Sequence, residues 1–481
     1  MKSFFKYLGI GLLILIVVIL VKTFTFKSKQ MKEPQAELLS LDDSCVVRLQ
    51  KAIRFKTISY DDVSLIDTLA FADFHKFLNK AFPQVFLKLE LEKVNKYGLV
   101  LHWKGKNSSA KPIILMAHQD VVPVEEATLN KWDVAPFSGE IKNDFIYGRG
   151  VIDDKGSMMA ILESVEILLK QGFVPASDIY FVFGHDEEIS GLKGAKVIAQ
   201  LFKDREINPA FVLDEGGIIT EYKVPGLNKT AAVVGIAEKG YQTLDLKINI
   251  PGGHSSMPEK ETAIDEIAKA VVKLKENPFP AQLGETVQGF LAYVGPEMPF
   301  VSKMAMANQW LFKPMITSTY SKTAAGNATV RTTTATTIFK AGIKENIIPG
   351  EANITVNFRT QPGVSQQVVV DYVKKVIDDD RIKITSKGKG NAPTQVAKVD
   401  DATFQFIQKN ISAYKKDIIV APYLVLGATD GRYFGNITSQ VFRFSPFTDP
   451  EGFHGVNERI KVSEYKKGIS FYYYLMRNWK N

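Results

Sequence analysis

Three apolar runs in this chain end abruptly on acids or histidine: "KPIILMAHQD", "DIYFVFGHDEE" and "PAFVLDEGG". A short apolar run bounded in this way reads as a buried strand. Adjacent carboxylates at its end repel one another and lose hydration wherever that end is enclosed. Between the runs lie stretches of helical periodicity, such as "GSMMAILESVEILLKQG", which closes on glycine. Strands separated by helices predict an α/β domain with a mostly parallel mixed sheet and helices on both faces. Ligands of such sheets gather beyond the carboxyl ends of the strands, where these acids sit. Crowded acids there call for a strongly positive partner.

At 481 residues with 45% apolar content, the chain can fill the cores of two or three domains. Its net charge of +8 is spread along the sequence without a basic run, which argues against nucleic-acid binding. A single cysteine, Cys45, excludes an internal disulfide framework.

The amino terminus differs from the rest. "YLGIGLLILIVVILV", Tyr7 to Val21, is uninterrupted and apolar, with Lys2 and Lys6 before it and Lys22 after it. It is short for a span, but Lys22 can snorkel and "TFTF" extends it. A signal peptide would want a small-x-small cleavage site, which "VKTFTFKSKQ" does not offer. Residues 1–30 are therefore read as an uncleaved membrane anchor, with a polar tether over residues 23–40 and the body expected outside the cytoplasm. Lysines flank both ends, so the positive-inside rule does not fix the orientation.

Further along, "YQTLDLKINI" and "GEANITVNFRT" alternate like half-exposed antiparallel strands. They predict a separate α+β module over residues 239–362, inserted into a catalytic domain built from 45–238 and 363–481. The stretch "TAAGNATVRTTTATTIF" within the module reads as a pair of strands.

Five places join a strand end to residues that hold metals: His118 with Asp120, Asp153 with Asp154, Glu187 with Glu188, Asp214 with Glu215, and His454. Singly, each acid reads as a helix cap or a loop residue, and a lone histidine as structural. Together they weigh more, because two of only six histidines fall in the set. His254 lies between glycines and serines in "GGHSS", while His75, His102 and His185 read as structural. Imidazole plus carboxylate suits zinc, with cobalt or manganese as substitutes. Two histidines with several acids exceed the needs of one four-coordinate ion and fit two ions bridged by a carboxylate. One of the adjacent glutamates is then free to act as a base.

The order "HxD … GRGxxDDK … DEExxG … DEGG … GGHSS … NFR … TDxR … HGxNE" resembles the zinc metallopeptidase family of carboxypeptidase S, aminoacylase and the bacterial glutamate carboxypeptidases. "GHDEEISG", "EKGYQTL", "GGHSSMPEKETAI" and "APYLVLGATDGRYF" look most like the branch of carboxypeptidase S and the N-fatty-acyl-amino-acid hydrolase/synthase. The likeness runs from about residue 45 to the end. It implies that His118, Asp153 and Asp214 hold one zinc, and that Glu188, His454 and the shared Asp153 hold another. It makes Glu187 the general base and Asp120 the residue that orients His118. His254 would stabilise the oxyanion, in dimers by reaching into the partner's site. Arg359 would bind the substrate's free carboxylate, with Asn346, Thr429, Asp430 and Arg432 as further substrate-side positions. Asp154 and Glu215 are left to supporting or turn roles. The family's inserted module serves as a lid and dimerisation domain, so a homodimer is expected.

The resemblance thus implies hydrolysis of an amide bond next to an amino acid with a free carboxylate, in short peptides or N-acyl amino acids. Two rivals conflict with the sequence: a serine hydrolase lacks its "GxSxG" elbow, and a metal-dependent barrel lacks an "HxH" pair. A third, an inactive relative serving as a membrane-anchored binding module, would typically have lost ligands or base. This chain keeps both.

Overall fold

A computed structural model of the protein describes residues 1–388 and 390–480. Its central sheet runs through Glu90–Val94, Gly98–Trp103, Ile179–Gly184, Ile113–His118, Phe211–Asp214, Val441–Arg443, Thr230–Glu238 and Ile419–Val425, with Ile219–Glu221 beside Thr230–Glu238. The four strands from Ile179–Gly184 to Val441–Arg443 are parallel, and antiparallel strands flank them.

The period of two divides each strand between two cores. Ile113, Leu115 and Ala117 join the core that holds the helices Lys155–Lys170 and Val462–Asn478. Ile114 and Met116 point the other way, into a core with Ile198 and Phe202 of the helix Ala195–Asp204. Both faces are covered, as predicted. The helix Lys155–Lys170 stops at Gly172, whose φ of +70° is the left-handed conformation glycine adopts without strain. Parallel direction matters for the site: the register sets His118 against Gly184 and Asp214 against Arg443, so three acid-bearing strand ends finish side by side.

A second, antiparallel sheet is ordered Thr333–Ala341, Glu351–Thr360, Gly240–Asn249 and Lys383–Ser386. Leu244, Leu246, Val356 and Phe358 pack on Ile267 and Ala270 of the helix Ala263–Glu276 and on Val369 and Val373 of the helix Gln366–Ile377. The boundary expected at residue 362 therefore needs correcting. The apolar stripe of Gln366–Ile377 covers this sheet, and Lys383–Ser386 extends it. Within 239–362, Tyr293 and Val294 of the helix Glu285–Val294 belong to the main core instead. The "TAAGNATV" stretch is also not the first of two strands. It forms the helix Ala324–Val330, capped by the Thr323 hydroxyl, and Thr333–Ala341 follows as an edge strand.

The amino-terminal helix spans Lys2–Thr25 and is exposed along most of its length. The segment after it is not the loose tether its polarity suggested. The Gln30 side-chain amide donates to the carbonyls of Tyr293 and Val420, each at 3.1 Å, and its oxygen accepts the Val420 amide at 2.9 Å. The Ala36 amide donates to the Ala413 carbonyl at 2.8 Å, and that of Leu39 to the Ser470 hydroxyl at 3.1 Å.

Candidate metal centre

Asp153 is the hub of the strand-end cluster. Its Oδ1 lies 2.7 Å from His118 Nε2 and its Oδ2 lies 2.6 Å from His454 Nε2. His454 Nε2 also stands 3.3 Å from Glu188 Oε2. Donor atoms of His118, Asp153 and Glu188 fall within 4.8 Å of one another, as do those of His118, Glu187 and Glu215. Two imidazoles and several carboxylates converging from a strand end and the neighbouring turns and loops form the donor set that divalent zinc, cobalt or manganese takes.

Asp120 orders the cluster from behind. Its backbone carbonyl faces His118 Nδ1 at 3.0 Å, which leaves Nε2 to face Asp153. Its carboxylate accepts the amides of Glu187 at 3.2 Å and Glu188 at 3.1 Å, and the Ser59 hydroxyl at 2.6 Å. One acid thus sets both the imidazole and the turn that carries the paired glutamates.

Burial and mutual repulsion govern the protonation of the acids. Burial pushes Glu187 well above the ordinary carboxylate range, and the charges of Asp430, Asp153 and Glu188 push it further. Glu215 and Asp154 are raised well above their usual values for the same two reasons, burial leading. Asp153 goes the opposite way. Burial works against its charge, but hydrogen bonds with His118 and His454 outweigh it. His454 is raised to about 10, chiefly by its bond to Asp153. So much buried carboxylate around two imidazoles fits a site built for cationic charge.

The placement of the predicted residues is uneven. His118, Asp153, Glu187, Glu188 and His454 come together. Asp214 sits at the same strand end, but its Oδ2 accepts the Gly431 amide at 2.6 Å, and it is Glu215 that shares a donor group with His118. The Thr429 hydroxyl donates to Glu238 at 2.8 Å. Asp430 is buried, with no hydrogen-bond partner for either oxygen among the described residues. It lies so close to Gly191 that a Cβ there would stand 1.9 Å from its Oδ1. Both Thr429 and Asp430 therefore lie in the wall of the site. Arg432 donates to the Ser190 carbonyl at 2.7 Å, next to the glutamate turn. His254 and Asn346 are exposed neighbours on the short ladder of Gly253–His254 with Ile347–Ile348. Among the described residues, no hydrogen bond or ion pair joins them to the acid cluster.

Sequence reasoning missed three supports. Glu458 accepts the amides of Gly150, Ile152 and Asp153 and pairs with Arg149 at 2.7 Å, which fixes the loop that presents Asp153. Its signal was the last letter of "HGxNE". Glu238 and Arg443 form a buried ion pair at 2.7 Å that holds Thr429. Lys239, in "EKGYQTL", is buried and, among the described residues, donates only to the carbonyls of Ala328 and Arg331. Burial, reinforced by the nearby Arg359 charge, lowers its pKa to about 7. Arg359 itself stacks on Tyr241 at 4.9 Å and has no carboxylate partner among the described residues. Two neighbouring basic side chains without a counter-ion among the described residues are the feature an anionic group would satisfy.

Residues 114–478 match the model of peptidase family M20/M25/M40. The chain belongs to this family. It is 44% identical over 465 residues to a probable carboxypeptidase S-like protein of Dictyostelium discoideum, covering 93% of this chain and 89% of the relative. It is 38% identical over 440 residues to the N-fatty-acyl-amino acid synthase/hydrolase of Homo sapiens, covering 89% and 86%. The M20 metallo-carboxypeptidase of Sulfolobus solfataricus shares the fold, with a TM-score of 0.65 at 19% identity over 91% of this chain and 99% of that one. An M20 metallopeptidase fold, with the cluster at its strand ends, is therefore the frame for the chemistry.

Proposed function

We propose that this M20 enzyme hydrolyses the amide bond of N-acyl amino acids or short peptides that carry a free carboxylate, with two divalent ions, zinc foremost, in the cluster. The observation that carries this reading is Asp153, one carboxylate shared between His118 and His454. His118, Asp153 and Asp214 would hold one ion, with Glu215 as a further carboxylate in reach. Asp153, Glu188 and His454 would hold the other.

Bound metal would polarise the scissile carbonyl and lower the pKa of water from about 15.7 towards about 7. Glu187 takes the proton from the attacking water and passes it to the leaving nitrogen. Asp120 keeps His118 and the glutamate turn in place throughout. Arg359 and Lys239 receive the substrate carboxylate, and the lack of a counter-ion for either among the described residues supports that role. His254 is exposed and, among the described residues, shares no hydrogen bond or ion pair with the cluster, which supports its completing the site of a second copy in a homodimer.

The helix Lys2–Thr25 serves as a single membrane anchor, with the body outside the cytoplasm. The bonds of the Asn308 amide to the Ile19 carbonyl and the Thr23 hydroxyl tie the helix itself to the body, which supports retention over cleavage. The function is tested with zinc-loaded full-length protein on an N-oleoyl amino acid and on a blocked dipeptide, each beside a chelated control. Chelator-sensitive cleavage of the oleoyl compound alone assigns the fatty-acyl class, and preference for the dipeptide assigns a carboxypeptidase. No cleavage of either, with metal confirmed bound, rejects the reading.

A further inference from the structure

The anchor is short for its task. An α-helix rises about 1.5 Å per residue, so covering a hydrocarbon core of about 30 Å takes the whole stretch from Phe4 to Phe24. The edge of the hydrocarbon then falls at Phe24, and the body is already there. The Phe24 ring lies 6.0 Å from that of Phe300, and Lys22 lies over the Trp310 ring at 5.5 Å. The buried Asn308 amide donates to the Ile19 carbonyl at 3.1 Å and to the Thr23 hydroxyl at 3.2 Å. Two short helices, Phe300–Ala307 and Gln309–Tyr320, are thereby fastened to the last turns of the anchor.

These helices expose Phe300, Val301, Trp310, Leu311 and Met315. They also belong to a run, residues 298–344, that contains no acid but carries Lys303 and Lys313 among its cations. Exposed apolar side chains interleaved with lysine, and free of carboxylates, suit the boundary between anionic headgroups and acyl chains. Tryptophan beside lysine is a common pairing at that depth.

We infer that the helices Phe300–Ala307 and Gln309–Tyr320 form a second membrane contact, an apron seated in the bilayer interface around the exit of the anchor. This rests on the anchor reading. It goes beyond it in assigning a bilayer-facing surface to the catalytic body itself.

The test uses the tryptophan distribution. Trp310 is 54% exposed, against 5%, 9% and 6% for Trp103, Trp132 and Trp479. The difference in emission between the full-length protein and Trp310→Phe therefore isolates the apron. The full chain is reconstituted in phosphatidylcholine–phosphatidylglycerol vesicles with lipids brominated near the headgroup, and flotation checks its attachment. The Trp310 emission is expected to drop about twofold with bromine and to resist aqueous acrylamide, as an indole at the interface would. Val301→Glu with Met315→Glu, both on exposed positions, is expected to reopen Trp310 to acrylamide while the chain still floats. A floating chain whose Trp310 responds to acrylamide and not to bromine overturns the apron and leaves the anchor standing. A Trp310 shielded from both quenchers also overturns it, in favour of a second copy of the chain. A chain that does not float overturns anchor and apron together.

Discussion

Asp153 and His454 stand 301 residues apart in the chain, and their side chains meet at 2.6 Å. The other oxygen of the same carboxylate meets His118, so one buried acid ties the end of a central strand to a loop close to the carboxyl terminus. Asp153→Ala is expected to abolish metal retention. Glu187→Ala should keep the metal and lose about 10²–10⁴-fold in turnover, the usual worth of a general base. Metal analysis beside a rate assay separates the two roles, and wild-type turnover in Glu187→Ala would reject the base assignment.

Arg443→Met removes one half of a buried ion pair. Glu238 would be left charged in an enclosed place, held only by the Thr429 hydroxyl. Breaking such a pair costs about 3–5 kcal/mol. Denaturant unfolding should show that loss, together with a weaker grip on the loop of Thr429 to Arg432.

A pH dependence of the activity is expected from Lys239. It is charged below about 7 and neutral above, because burial opposes its charge. If the charge attracts the substrate carboxylate, kcat/KM should fall as pH rises through that value. A bound carboxylate favours the charged form, so the decline in kcat should come at higher pH. Lys239→Arg, which keeps its charge, should lose the alkaline decline in kcat/KM. Profiles of both parameters for the two proteins decide the point.

Cys45 should be a silent thiol. It is buried, donates to the Asp42 carbonyl at 3.2 Å, and burial raises its pKa to about 11. Alkylation at pH 8 should be slow in the folded protein and rapid after unfolding. The folded pKa lies above the ordinary value, so this group's contribution to stability is complete below about 9 and fades as pH climbs towards 11.

What could be read from the sequence was local. Apolar runs and helical periods are properties of neighbouring residues, so "KPIILMAH" and "PAFVLDEGG" were legible as strands, and their closing acids as a cluster. The amphipathic stripe of Gln366–Ile377 was equally legible as a helix, but a stripe does not say which of two sheets it covers. Partnerships across long separations were hidden for the same reason. Glu238 and Arg443 meet over 205 residues, and neither carries a local sign of the other. Gln30 looked like part of a solvated linker because a polar side chain that satisfies an edge strand has the same composition as one in water.

The pinned segment after the amino-terminal helix governs how copies of this protein could associate. A flexible leash would let two bodies tumble into any mutual orientation. Here Gln30, Ala36 and Leu39 are bonded to the body, and Asn308 of the body is bonded to Ile19 and Thr23 of the helix, so the helix and the body turn as one piece. If that helix crosses a bilayer, two copies inserted from the same side share a common up direction. A twofold pair is then possible only about an axis along the membrane normal, and every arrangement that would turn one body upside down is forbidden.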